Sequence, residues 1–123
     1  MKIYECDASQ WFPSMRVRVV VGDERCRRAM GRVNPAESPT GAAWTYHEEG
    51  EDWCLVCLTD EWARSEEDQR VALVAHEAVH CALAWAESMG EGTPGDEELA
   101  YMVQCCALAI LDGARQEAER GRR

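Results

Sequence analysis

The chain has 123 residues, 46% of them hydrophobic, with 13 basic against 23 acidic side chains and a formal net charge of −10. That length fits one domain, and that apolar content excludes a disordered chain. So acidic a balance speaks against nucleic-acid binding by the whole surface, because phosphates need a basic face.

The opening segment MKIYECDASQWF has no apolar core of a secretory signal. No run in the chain reaches the about 18 apolar residues of a membrane span. Residues 1–34 carry seven basic and four acidic side chains, a local excess that reads as solvated surface. Met15 to Val21 (MRVRVVV) alternates Arg with Val up to Gly22, which predicts a half-exposed strand. Residues 23–33 predict a short basic helix stopped by Asn34-Pro35, and residues 34–42 a loop. Residues 43–48 and 53–59 predict two strands paired as a hairpin around Glu49-Gly50-Glu51-Asp52, the second apolar on both faces. Residues 1–60 thus read as strands, loops and a short helix.

The second half reads as helical. A helix is expected over 65–89, with Ser65 near a capping box and Gly90 and Gly92 closing it. Another is expected over 94–118, with Thr93 as cap and Pro94 at its first position. Leu99, Met102, Val103, Cys106, Ile110, Leu111 and Ala114 recur at helical spacing as a core stripe. The tail beyond Ala114 reads as polar and fraying. The expected fold class is α+β, a small antiparallel sheet plus two long C-terminal helices.

Cysteine numbers seven, and an odd count argues against a closed disulfide framework. Reduced thiols in a cytoplasm, most of them buried, are expected. Cys54-Leu55-Val56-Cys57 is a CxxC inside an apolar strand with no second CxxC, so it reads as burial rather than metal or redox chemistry. The tryptophans Trp11, Trp44, Trp53, Trp62 and Trp85 read as core or rim.

The chemistry concentrates in VALVAHEAVHCALAWA, Val71 to Ala86, where His76, Glu77 and His80 are the polar side chains. A helix apolar nearly all round is expected to be buried. Buried ionisable groups need a partner, a hydrogen bond or a metal. His76 and His80, at i and i+4, put two imidazoles on one face, the arrangement for two ligands of a tetrahedral zinc. Glu77 lies a further 100° or so round the helix, near enough to act on a zinc-bound water. His-Glu-Ala-Val-His is the HExxH signature, with the Glu as general base. A catalytic zinc needs a third protein ligand. Asp96, Glu97 and Glu98 open the following helix, and periodicity alone leaves Glu97 and Glu98 open as alternatives.

His76-Glu77-Ala78-Val79-His80 followed by Glu97-Glu98-Leu99-Ala100-Tyr101 resembles the small gluzincin-type zinc metallopeptidases, most closely the short phage and prophage metallopeptidase-like proteins. The resemblance covers about residues 53–111. It implies a zincin-like domain, Zn2+ held by His76, His80 and Glu97, and hydrolysis of a peptide or protein substrate with water activated by Glu77. With the missing signal and membrane span, the reduced thiols and the acidic balance, the expected setting is the cytoplasm of a bacterial or phage-infected cell, with no membrane or nucleic-acid partner. Tyr101 and His47 stand as candidates to stabilise the oxyanion, each with a plainer reading as a core-edge Tyr and an exposed strand His. The strand 53–59 is the expected edge for an extended substrate. A different class of function, a non-catalytic zinc-stabilised binding or inhibitor protein, fits the small size and acidic surface.

Overall fold

The computed structural model describes residues 3–6 and 14–120. Trp11 and the last three residues of the polar tail lie outside them. The elements are β1 (Ile3–Cys6), β2 (Met15–Val21), α1 (Asp23–Val33), β3 (Ala43–Tyr46), β4 (Trp53–Leu58), α2 (Asp60–Arg64), α3 (Glu67–Ser88) and α4 (Asp96–Arg120). The class is α+β, with two long C-terminal helices.

β4 decides the architecture. Its residues Cys54 to Leu58 are all fully buried, which requires helices over both faces of the strand. Cys54, Val56 and Leu58 pack with Met15, Val17 and Val19 of β2 against α3 and α4. Leu55 and Cys57 pack with Val20 against Cys26, Ala29 and Met30 of α1. The sheet therefore separates two cores. The sheet order is β1-β2-β4-β3.

The expected antiparallel sheet is corrected in one respect. β1–β2 and β3–β4 are antiparallel, but β2 and β4 are parallel, with Val17 opposite Cys54 and Val21 opposite Leu58. Parallel neighbours need a crossover of a dozen or so residues, and the connection through α1 and β3 provides it. The short helix α2 is also additional to the sequence reading. β4 is consequently an interior strand with partners on both sides, and β3 is the edge of this sheet beside α3. The edge for an extended substrate is therefore not residues 53–59.

Two backbone details join the halves. Gly22 has φ +105°, a conformation open to glycine at little cost. It lets the chain turn from β2 into α1. There the first backbone N–H of α1, at Asp23, donates to Asp60 Oδ1 (3.2 Å), and that of α2, at Asp60, donates to Asp23 Oδ1 (2.9 Å). Each aspartate thus caps the other's helix. Much of the basic excess of the first 34 residues is paired: Arg16 with Asp52 at 2.8 Å, Arg28 with Glu24 at 3.1 Å, and Arg25 with the buried Glu117 of α4.

The sheet also divides the CxxC. Cys54 faces α3 and α4, and Cys57 faces α1, so the two thiols cannot share one metal or one disulfide. Hydrogen bonds with Cys106 and Cys54, and then burial, push the Cys81 thiol well above its ordinary range. The thiolate is the reactive form. Iodoacetamide treatment of the native protein, followed by mass spectrometry, should therefore modify the half-buried Cys105 well before Cys81. Equal rates in the folded state would contradict this burial.

Candidate metal centre

α3 is rich in Ala and Leu, which favour helix. It ends where Gly90 takes φ +79°. The N–H groups of Gly90 and Glu91 then close on the carbonyls of Glu87 and Ala86, each at 2.9 Å, as a glycine C-cap does. The N-terminus differs from the expected capping box. Glu66 is the cap residue and its side chain makes no cap hydrogen bond. Ser65 Oγ instead donates back to the carbonyl of Glu61 at 2.9 Å, closing α2. α4 likewise starts at Asp96 rather than at Pro94, with Leu99 N–H bonded to the carbonyl of Gly95 at 2.8 Å.

α3 is not buried on all sides, which corrects the reading from its composition. Val74, Ala78, Cys81 and Trp85 face the sheet and α4 and are buried. Ala72, Ala75, His76, Val79, His80 and Leu83 form an exposed stripe on the other side. Of the three polar groups only Glu77 is buried, at 4% exposure.

The two imidazoles do meet. Their ring centroids are 5.0 Å apart at 67°, and Nε2 of His76 faces Nε2 of His80 at 3.3 Å. That is longer than an ordinary hydrogen bond of about 2.7–3.2 Å. It matches the separation of about 3.3 Å between two nitrogens that each stand about 2.05 Å from one tetrahedral zinc. On this geometry the pair fits two positions of such an ion.

Glu77 is held by a residue that sequence reading did not single out. Thr45 Oγ1 donates to Glu77 Oε1 at 2.8 Å, joining edge strand β3 to α3. The signal was in the alternation of AWTY. Trp44 and Tyr46 pack on the α1 side of the sheet, so Thr45 between them must point to the α3 side.

The remaining predicted residues lie elsewhere. Cys81, next to His80, hydrogen-bonds with Cys106 of α4. A rise of about 1.5 Å per residue then places Glu97 about 13 Å along α4 from that level. Glu97 is exposed and Glu98 half-buried in the first turn of α4. Tyr101 is 55% exposed one turn further on. His47 accompanies the hairpin turn, its Nε2 2.7 Å from the carbonyl of Glu51. Among the described residues, no group of three or more His, Cys, Asp or Glu side chains is placed to hold a metal ion. The structure thus brings His76 to His80 and, on the buried side of the helix, Glu77 to Thr45, and does not bring Glu97 or Glu98 to the imidazoles.

No protein-family model matches the chain, and neither a curated protein nor a solved structure matches it. Among the described residues, no helix is long and apolar enough to cross a membrane.

Proposed function

We propose that the chain is a zinc-dependent peptidase, with His76 and His80 as metal ligands and Glu77 as general base. The observation that carries this reading is the 3.3 Å approach of the two Nε2 atoms on an exposed helix face, one residue from a buried carboxylate. When bound, zinc supplies a Lewis acid and lowers the pKa of its water towards neutrality. Glu77 takes the proton of the attacking water and returns it to the leaving amine. Thr45 engages one oxygen of that carboxylate, Oε1, and so fixes its orientation. The substrate is an extended peptide laid along β3, the edge strand next to α3.

The family resemblance assigns the third ligand to Glu97, and Tyr101 and His47 are the candidates for the oxyanion contact. Glu97 and Tyr101 lie in the first turns of α4, so they reach the imidazoles only if those turns refold over α3. Elemental analysis of protein purified without chelator tests the centre. One zinc per chain is expected, lost in His76→Ala and in His80→Ala. If Glu97 is a ligand, Glu97→Ala should weaken zinc binding by more than the about 10- to 100-fold typical of outer-shell partners. A chain with no zinc overturns the proposal. Zinc retained without hydrolysis of labelled casein moves the protein to the non-catalytic binding class.

A further inference from the structure

The outer face of the α3–α4 pair carries no charge over most of its length. Between Arg70 and Glu87 the sole charged side chain is the buried Glu77. Between Glu98 and Asp112 there is none. Several large apolar side chains stand in water here: Val79 at 41%, Leu83 at 46% and Leu108 at 61% exposure. In a chain with 29% charged residues, a solvated helix face would ordinarily be charged, and a helix apolar on both sides is ordinarily covered on both. An exposed apolar patch rimmed by polar groups marks a contact surface.

The rim identifies the partner. From Val71 to Ala114 the sequence has no Lys or Arg. The end of the face at the α3–α4 turn gathers Glu87, Glu91, Asp96, Glu97 and Glu98. No cation on either helix offsets these five carboxylates within that stretch. A second copy in parallel alignment would bring the same acidic end to the contact, where like charges are unfavourable; in antiparallel alignment that end would face Arg115 and Arg120, which already pair with Asp112 at 3.9 Å and Glu117 at 3.7 Å. A segment with apolar side chains along one face and Lys or Arg at one end would satisfy both the stripe and the carboxylates.

We infer that the exposed face of α3 and α4 docks a protein segment with one apolar face and a basic end. The apolar side chains sit on Val79, Leu83 and Leu108, and the basic end sits at the turn between the helices. From Val79 to Glu87, where the acidic end begins, α3 runs about 12 Å, which about eight residues of a docked helix span. Because His76 and His80 border the same stripe, the docked segment belongs to the substrate, outside the stretch that lies extended along β3. That last assignment rests on the proposed hydrolysis, whereas the docking itself is measured without turnover.

The probe is a fluorescein-labelled peptide of Leu and Ala with a run of Lys at one end, titrated with chelator-treated protein and read by fluorescence anisotropy. Saturable binding is expected, weakening as salt is raised. Leu83→Glu and Leu108→Glu should each weaken it about tenfold, a change worth about 1.4 kcal/mol. Both residues are exposed, and an unchanged circular dichroism spectrum checks that the variants are folded. The same peptide with Glu for Lys should bind at least tenfold more weakly. Equal binding of the two peptides, or no saturable binding, overturns the inference. So does self-association of the wild-type chain that Leu83→Glu abolishes, because it assigns the face to a second copy. A chain that binds no zinc yet binds the peptide would fail the peptidase reading alone.

Discussion

Glu77→Gln should leave the zinc content unchanged while lowering peptide hydrolysis by about 10²- to 10⁴-fold, the usual contribution of a positioned general base. The substitution conserves shape. Gln keeps a carbonyl oxygen that can accept the Thr45 hydroxyl in place of Oε1, so the link between β3 and α3 survives. What it loses is the capacity to take a proton. Its new NH2 group enters a site only 4% exposed, and an unmatched buried donor costs about 1–3 kcal/mol. Stability should therefore fall modestly, and activity must be compared at equal folded fraction. Thr45→Val provides the complementary variant: it leaves the base in place and removes the donor that orients it. Full activity of Glu77→Gln would remove Glu77 from the chemistry and leave the His pair as a metal-binding element without a base.

Much of the fold was readable because local patterns and tertiary burial agree. The Arg and Val alternation of β2, the basic helix α1 and the β3–β4 hairpin each form where the sequence places them. The boundaries of the helices shift by about two residues, as terminal turns commonly do. Pairing between β2 and β4 was not readable. It depends on 31 residues of intervening chain, Gly22 to Asp52, and on which strand claims the free side of β4. The double-sided burial of β4 was the available sign that it would be central rather than an edge. α2 has no signature in the sequence because five residues are too few for a periodicity, and its start is set by Asp23 from α1.

At the site, the i, i+4 spacing of His76 and His80 was sufficient to bring their nitrogens together, since helix geometry alone determines it. The environment of the histidines was not sufficient information. VALVAHEAVHCALAWA reads as buried, yet a helix lying on a sheet has only one side against it, and here the apolar residues of the other side stay in water. Glu97 shows the limit most clearly. A short Gly- and Pro-containing connection predicts that two helices pack, and α3 and α4 do. It does not set their axial register. Packing of α3 on α4 sets it, with Cys81 beside Cys106, and that register carries the first turn of α4 away from the imidazoles.

Trp85→Ala should destabilise the protein by about 3–5 kcal/mol, the range for deleting a large aromatic side chain from a core. Among the described residues Trp85 is the largest fully buried side chain, at 0% exposure. It sits on the sheet-facing side of α3 in the cluster that joins β2, β4, α3 and α4. Removing it leaves a cavity between the sheet and the helix pair, with small neighbours such as Ala82 and Ala86 that cannot fill the space. Domains of this size are stable by about 5–15 kcal/mol, so the loss is a large part of the total. Denaturant titration should show a lower midpoint with an unchanged slope. Trp62 makes a useful contrast. It is half-buried against Arg70, with its ring N–H on the Arg70 carbonyl at 3.1 Å, so Trp62→Ala should cost clearly less. Trp85 lies five residues from His80, on the opposite side of the same helix. Because the spacing of the two imidazoles is internal to α3, Trp85→Ala should preserve their zinc affinity as long as the helix is folded. Zinc binding lost at temperatures where α3 remains helical would show that the metal centre depends on the seating of α3 on the sheet, and not on the i, i+4 pair alone.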